Sequence, residues 1–388
     1  MSWREITLGD AFRVKHGFAF KGQFFSETGT YVVLTPGNFN EEGGFRSRPG
    51  KDRFYSADIP EDFVLREGDL IIAMTEQGPG LLGSSALVPE DAKYLHNQRL
   101  GLIQNLDHKK LDKDFLYYLF NTRSIRSQIS GSATGTKVRH TAPERIYRVK
   151  ALIPKEVEEQ KRIAATLSAY DDLIENNRRR IQLLEEAARL LYKEWFVHLR
   201  FPGHEHVGIV DGVPEGWVNK SLGNVVEIAR GRNITKDTAK NGPVPVVAGG
   251  LTPAYYHDTP NALGPVITIS ASGANAGYVN IYFCDIWASD CSYISADTAD
   301  EIFFLYLMLA SRQREISGLQ RGAAQPHVYP KDLQRLPVLL PSKQVLRLFE
   351  ASVRDLFTMV ACLQRQNDAL AQARDLLLPR LMNGEVAV

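Results

Sequence analysis

Two stretches of the chain carry apolar residues at spacings that alternate between four and three. The first runs through Ile163, Leu167, Tyr170, Ile174, Asn177, Ile181, Leu184, Ala188, Leu191 and Trp195, with Asn177 filling its one polar gap. The second runs through Leu346, Phe349, Val353, Leu356, Val360, Leu363, Asn367, Leu370, Arg374, Leu377 and Leu381. A mean period of 3.5 predicts a helix with a narrow seam made for another helix, not the broad apolar face of a globular surface helix. Two such seams in one chain predict that they pair with each other; the alternative is that each packs only on its own domain. Each helix follows a globular region, so antiparallel pairing is expected. Asn177 then falls near Asn367, a polar pair that fixes register at some cost in stability.

The globular regions repeat each other. Trp3, Leu8, Gly9 and Gly17 reappear as Trp217, Leu222, Gly223 and Gly231, each 214 positions later. Gly131, Gly135, His140, Pro143 and Pro154 reappear as Gly318, Gly322, His327, Pro330 and Pro341, each 187 positions later. The second copy has therefore lost roughly 27 residues from its middle. The apolar run of residues 69–74 predicts a short buried strand, matched by one at 266–270. Short helices are expected near residues 115–122 and 302–310. The fold class is α/β (α+β): two globular domains in tandem pseudo-repeat, separated by two long helices that form an antiparallel coiled coil. The domains are residues 1–155, a spacer helix at 156–200, a linker at 201–216, a second globule at 217–341 and a C-terminal helix at 342–388.

Two similar heads on a rigid spacer suit a split target. A helix over 163–196 is roughly 50 Å long at ~1.5 Å per residue, or on the order of fifteen base pairs of B-DNA at ~3.4 Å each. Heads of different sequence imply unlike half-sites, and a pseudo-two-fold matches the opposed strands. The basic residues fit. Lys137, Arg139 and His140, with Arg145, Arg148 and Lys150, crowd the end of the first globule. Arg321, His327, Lys331 and Arg335 hold the same place in the second. Such side chains suit phosphate contacts. Gln77 and Arg99 in the first head, and Arg232, Asn275 and Gln325 in the second, are candidates for reading base edges. Net charge adjusts this reading only slightly: +1 over the whole chain argues mildly against a nucleic-acid binder unless charge is arranged locally.

The residues then become recognisable. Residues 153–163, Ile-Pro-Lys-Glu-Val-Glu-Glu-Gln-Lys-Arg-Ile, resemble the opening of the conserved helix in specificity subunits of type I restriction–modification enzymes. The join at 191–204, Leu-Tyr-Lys-Glu-Trp-Phe-Val-His-Leu-Arg-Phe-Pro-Gly-His, and the restart Pro214-Glu215-Gly216-Trp217 resemble the same family, as do Gly68–Ile72 and Asn97–Gly101. Residues 340–344 depart from the pattern, lacking the Glu-Glu-Gln of the first copy. The resemblance covers essentially the whole chain. It implies two target-recognition domains, each reading half of a bipartite asymmetric DNA site, with the helices spacing them and docking two modification (methyltransferase) subunits. Restriction subunits that translocate and cut DNA are implied as further partners. S-adenosylmethionine, ATP and Mg are implied on those partners, with adenine N6 as the methylated atom; no cofactor and no catalytic residue is implied in this chain.

Missing motifs agree. There is no Asn/Asp-Pro-Pro-aromatic motif for base methylation and no GxxxxGK[ST] phosphate loop. Gly78–Gly83 has glycine-loop spacing without an adequate following helix and reads as a structural loop. Asp91-Ala92-Lys93 reads as surface, not as a nuclease element. Cys284, Cys291 and Cys362 form no CxxC pair and are expected reduced, and His198, His204 and His206 read as linker residues, so no metal is expected. No stretch reaches the ~20 apolar residues of a membrane helix, and the N-terminus has no signal-peptide core; a cytoplasmic location is expected. Two other readings are a stand-alone nuclease or methyltransferase, and a protein-binding scaffold with paired heads on a coiled coil. Salt-sensitive DNA binding separates the scaffold from a DNA reader.

Overall fold

The computed structural model describes residues 2–48, 50–78, 80–322 and 325–388. Two compact units divide the chain: Met1–Glu175 with Asp368–Val388, and Asn176–Asn367.

The first unit holds strands β1 (Trp3–Thr7), β2 (Arg13–His16), β3 (Phe25–Ser26), β4 (Val32–Val33), β5 (Phe54–Tyr55), β6 (Leu70–Ala73), β7 (Thr75–Glu76), β8 (Ser85–Leu87), β9 (Tyr94–Leu95) and β10 (Leu100–Gln104). Helices α1 (Lys113–Phe120) and α2 (Arg123–Gly131) follow, then β11 (Arg139–His140), α3 (Pro143–Tyr147), β12 (Lys150–Pro154) and the start of α4 (Val157–Tyr192). Two four-stranded sheets, β2-β10-β6-β8 and β3-β5-β4-β9, form its frame. The fully apolar β6 explains how they share a core. Side chains alternate across a strand, so Leu70 and Ile72 join Phe12, Phe115 and Phe120 on one face. Ile71 and Ala73 join Leu34, Phe39 and Leu100 on the other. The ladder of β1 and β12, from Trp3↔Pro154 to Thr7↔Lys150, closes the head.

The second unit contains the rest of α4, then β13 (Ile209–Val210), β14 (Val213–Pro214), β15 (Val218–Ser221), β16 (Ala229–Arg230), β17 (Val244–Val247), β18 (Tyr255–His257), β19 (Val266–Ser270), β20 (Val279–Tyr282), β21 (Trp287–Ala288) and β22 (Cys291–Ser295). Helices α5 (Ile302–Ser311), α6 (Gln313–Ser317) and α7 (Pro330–Gln334) precede β23 (Pro337–Leu340) and α8 (Lys343–Met382). Its sheet β16-β22-β19-β20 repeats the order of the first head. The closing ladder repeats too: Val218 faces Leu340 as Arg4 faces Ile153. Both heads also carry a parallel pair beside this frame, β4 with β9 and β17 with β21.

Each unit is sealed by parts of both long helices. Ile163 and Leu167 of α4 and Leu381 and Met382 of α8 belong to the first core. Ala188 and Tyr192 of α4 and Phe349, Val353 and Phe357 of α8 belong to the second. Asp171 meets Arg374 in the first unit and Asn177 meets Gln366 in the second, so numbers rise on one helix as they fall on the other, as in an antiparallel pair.

The start of α4 agrees with the sequence expectation and two details differ. The helix α4 begins at Val157, where Gln160 turns back into the head and bonds the carbonyls of Lys110 and Pro154. It ends at Tyr192 in a π-helical turn over Lys193–Val197. The segment 201–216 is not simply a linker: Phe201 is buried against Trp217, ring centroids 5.0 Å apart, and β13 and β14 form a hairpin within it.

Candidate nucleic-acid interface

The same turn is built into both heads just before α3 and α7. Thr134 and His140 exchange two backbone hydrogen bonds, of 3.0 and 2.8 Å, and Arg321 and His327 exchange two of 2.9 Å. Gly135 (φ 102°) and Gly322 (φ 94°) make both turns possible, since a Cβ there would meet the carbonyl oxygen of Val138 or of Gln325. Residue types matched at one offset in the sequence thus share the same pair of backbone bonds and the same positive-φ glycine. Lys137 and Gln325 are exposed on these turns.

Several candidate side chains prove to be committed within their heads. Arg139 is partly exposed and already engaged: its guanidinium pairs with Glu76 at 3.0 Å and donates to the carbonyl of Ser130. Glu76 is buried, and an unpaired carboxylate there would be costly. Its other oxygen accepts the backbone N–H groups of Gly80, Leu81 and Leu82 at 3.1, 3.0 and 2.9 Å. This accounts for the glycine spacing of residues 78–83: amides that could cradle a phosphate already hold a carboxylate. Pro79 of that motif lies outside the described residues. Arg321 pairs with the buried Asp332 at 2.6 Å. His140 lies 3.1 Å from the Thr75 hydroxyl through Nδ1, and His327 donates through Nδ1 to the Gln325 carbonyl while stacking on Tyr329. Asn275 donates to the carbonyl of Gly249 at 3.3 Å. Arg232 is exposed with no side-chain partner among the described residues, although its backbone bonds Ala288 and the Trp287 indole.

Gln77 and Arg99 come together. Both line a cleft of about 1040 Å³ in the first head, beside Thr35, Arg48, Lys51, Arg53 and Glu76. Arg48, Lys51 and Arg53 were not legible as site residues, because no periodicity or repeat marks them. Arg126 braces the cleft wall, donating to the carbonyls of Leu82 (3.0 Å), Glu41 (2.9 Å) and Gly80, and burial lowers its pKa.

The seam residues lie on α4 and α8 as follows. Ile163, Leu167, Ile174, Asn177, Val353, Val360 and Leu363 are buried, and Tyr170, Ile181, Leu184, Leu191, Leu356, Asn367, Leu370 and Leu377 are half-buried. Asn177 donates to Gln366 at 3.5 Å, the neighbour of the expected Asn367, whose own carbonyl oxygen is buried without a partner. Among the described residues, no three His, Cys, Asp or Glu side chains are grouped to hold a metal, and no helix is long and apolar enough to cross a membrane. Burial raises the Cys291 thiol to about 12.

Comparison with known proteins places these features in context. A family model described as the type I restriction modification DNA specificity domain matches residues 1–186 and 214–346. The type I restriction enzyme MjaIX specificity subunit of Methanocaldococcus jannaschii is 26% identical over 300 residues, covering 71% of this chain and 69% of that protein. The type I restriction enzyme HindI specificity subunit of Haemophilus influenzae is 23% identical, with 99% of each chain covered. Among solved structures, the type I restriction–modification S subunit from M. genitalium superposes with a TM-score of 0.62 at 19% identity, covering 98% of this chain and 96% of that one, which supports the shared fold.

Proposed function

The chain belongs to the type I restriction modification DNA specificity family, and from that premise we propose how its two heads and two helices divide the work. It is a specificity subunit with two target-recognition domains; the finer assignments below are ours. Each head reads one half of a bipartite, asymmetric DNA site. The closing ladders and matched turns present unlike side chains from one frame, and that repetition is the observation on which the reading rests. Gln77 and Arg99 in the first head, and Arg232 and Gln325 in the second, are the base-reading candidates. Lys137 and the outer edges of His140 and His327 contact phosphate.

The helices α4 and α8 set the gap. At 36 residues, α4 is about 54 Å long. Two modification subunits dock along the helices. Leu183 and Leu190, one heptad apart on α4 and 65% and 56% exposed, support an apolar docking strip. Methyl transfer from S-adenosylmethionine to adenine N6 belongs to those subunits, and ATP-driven translocation and Mg-dependent cleavage to restriction subunits; this chain contributes binding and no chemistry. Its place is the cytoplasm, with the DNA.

The test is co-expression with the neighbouring methyltransferase gene, sizing of the complex and mapping of methylated adenines. One specificity chain with two methyltransferases, marking a split asymmetric site, is expected. A chain that binds proteins but not DNA, with no dependence on salt, would support a scaffold instead.

A further inference from the structure

The two heads differ most between their parallel strands and the next strand along. In the first head residues 34–53 connect β4 to β5; in the second, residues 248–254 connect β17 to β18. Both connections start and end at equivalent rungs, Val32↔Phe54 and Val246↔Tyr255. The short connection carries no charged side chain, whereas the long one carries Arg46, Arg48, Lys51 and Arg53 against Glu41, Glu42 and Asp52.

The long loop is built and held in place. Asn38 closes a turn on Thr35 at 2.9 Å, and the Arg46 amide donates back to the Asn38 carbonyl at 2.8 Å. The Ser84 hydroxyl holds the Asn40 carbonyl at 2.7 Å, and the Gly44 amide donates to the Ser85 carbonyl at 2.9 Å. Phe39 anchors it in the core at 1% exposure. A connection this long inside a compact domain, with its own order, is characteristic of a binding loop.

Arg48, Lys51 and Arg53 of this loop line the cleft of about 1040 Å³ that also contains Gln77 and Arg99. None of the Arg48, Arg53 or Arg99 guanidiniums has a hydrogen-bond or ion-pair partner among the described residues, while the cleft's buried acid, Glu76, is committed to Arg139 and the loop amides. Of the lining residues, Glu27 and Asp52 remain to offset four cations. Guanidiniums gathered without partners repel one another unless an acceptor-rich ligand enters. The absence of a side chain at Gly37 leaves room for Arg48: a Cβ there would meet its Nη1 at 2.3 Å, so the guanidinium lies against bare backbone.

We propose that Arg48 and Arg53 are specificity-determining residues of the first head, reading guanine edges in the major groove that the second head has no counterpart loop to read. This rests on the DNA-reading role proposed above. The first half-site then contains at least one guanine whose recognition is independent of the frame shared by the heads.

The experiment uses the full chain in complex with its methyltransferase and a randomised duplex library. Arg48→Ala and Arg53→Ala are selected in parallel with wild type. The expected result is relaxed preference, by about tenfold, at one or two guanine positions of one half-site, with the other half-site unchanged in the same molecules. Replacing that guanine by 7-deazaguanine should weaken wild type and leave the responsible variant unaffected. Arg48→Lys should keep salt-dependent affinity but lose the preference, since it cannot make the bidentate contact. Equal weakening on every sequence, with a salt slope reduced by about one, would identify a phosphate contact and overturn the proposal. Unchanged selection by both alanine variants would overturn it as well. A wild-type complex with no split-site preference would overturn the DNA-reading role itself, a result distinct from either.

Discussion

Counted along their seams, Asp171 of α4 and Phe357 of α8 hold the same position, eight residues after Ile163 and Phe349. In the first unit the Tyr118 hydroxyl donates to Asp171 at 2.6 Å and the Arg374 guanidinium bonds its other oxygen. Burial, with Asp171 beside it, raises the Tyr118 hydroxyl above its ordinary value. In the second unit Phe357 stacks on Phe303 at 4.7 Å and 16° and meets Tyr306 edge-on. The counterpart of Arg374 there is Ala188, fully buried in the same cluster. One seat is closed by charge against charge, the other by a large ring beside a small residue. The polar seat, partly open to water, depends on its partners being present, and exchanging the two seats would set a charge against a phenyl ring. The seats are therefore not interchangeable, which fixes which helix end serves which head.

The largest break in this comparison should come from Phe357→Ala. It removes a ring that is 1% exposed, and urea unfolding should show the second unit weakened by about 4 kcal/mol. The aromatic seat also holds one acid, Glu350, whose carboxyl accepts from the Phe304 amide at 2.7 Å while its other oxygen is buried without a partner. Burial raises it to about 7 from an ordinary 4.5. The folded state then holds the proton more tightly than the unfolded one. Its contribution is full below about 4.5 and is lost as pH rises through about 7, on the order of 3 kcal/mol in all. Unfolding from pH 5 to 8 should show this decline, and Glu350→Gln should flatten it.

In the polar seat, Asp171→Ala strands the Tyr118 hydroxyl and leaves Arg374 with Asp375 alone. Because Asp171 and Arg374 keep 28% and 24% of their side chains exposed, we expect a loss of about 2 kcal/mol, below that of a fully buried pair. Hydrogen exchange should localise it to the first unit. The smallest effect concerns Asn367: Asn367→Leu removes an unsatisfied buried oxygen and should stabilise by about 1 kcal/mol in thermal unfolding. A loss there would mean that the polar position does more for register than it costs.

The long helices were legible because a 3.5 period needs only neighbours in sequence. The repeated turns were legible because glycine at a positive φ leaves a residue type that repetition exposes. What escaped depends on partners far apart. Arg139 has the composition of a phosphate contact, and only Glu76, 63 residues earlier, shows it paired within the head. The role of Gln160 was hidden, because it is polar by type yet 0% exposed, satisfied by carbonyls of the head. Arg48 and Arg53 sit in a segment with no period and no copy, so nothing but the cleft draws them together.

Unit boundaries have a consequence in time. A ribosome delivers the first head before the second, and domains generally complete in that order. The first head can close β1 against β12 once Pro154 has emerged, yet its core also needs Leu381 and Met382, which are made only after the whole of the second unit. The second unit is whole within Asn176–Asn367. The half begun first is thus finished last, and throughout synthesis it waits with an apolar seat open for a helix end not yet translated.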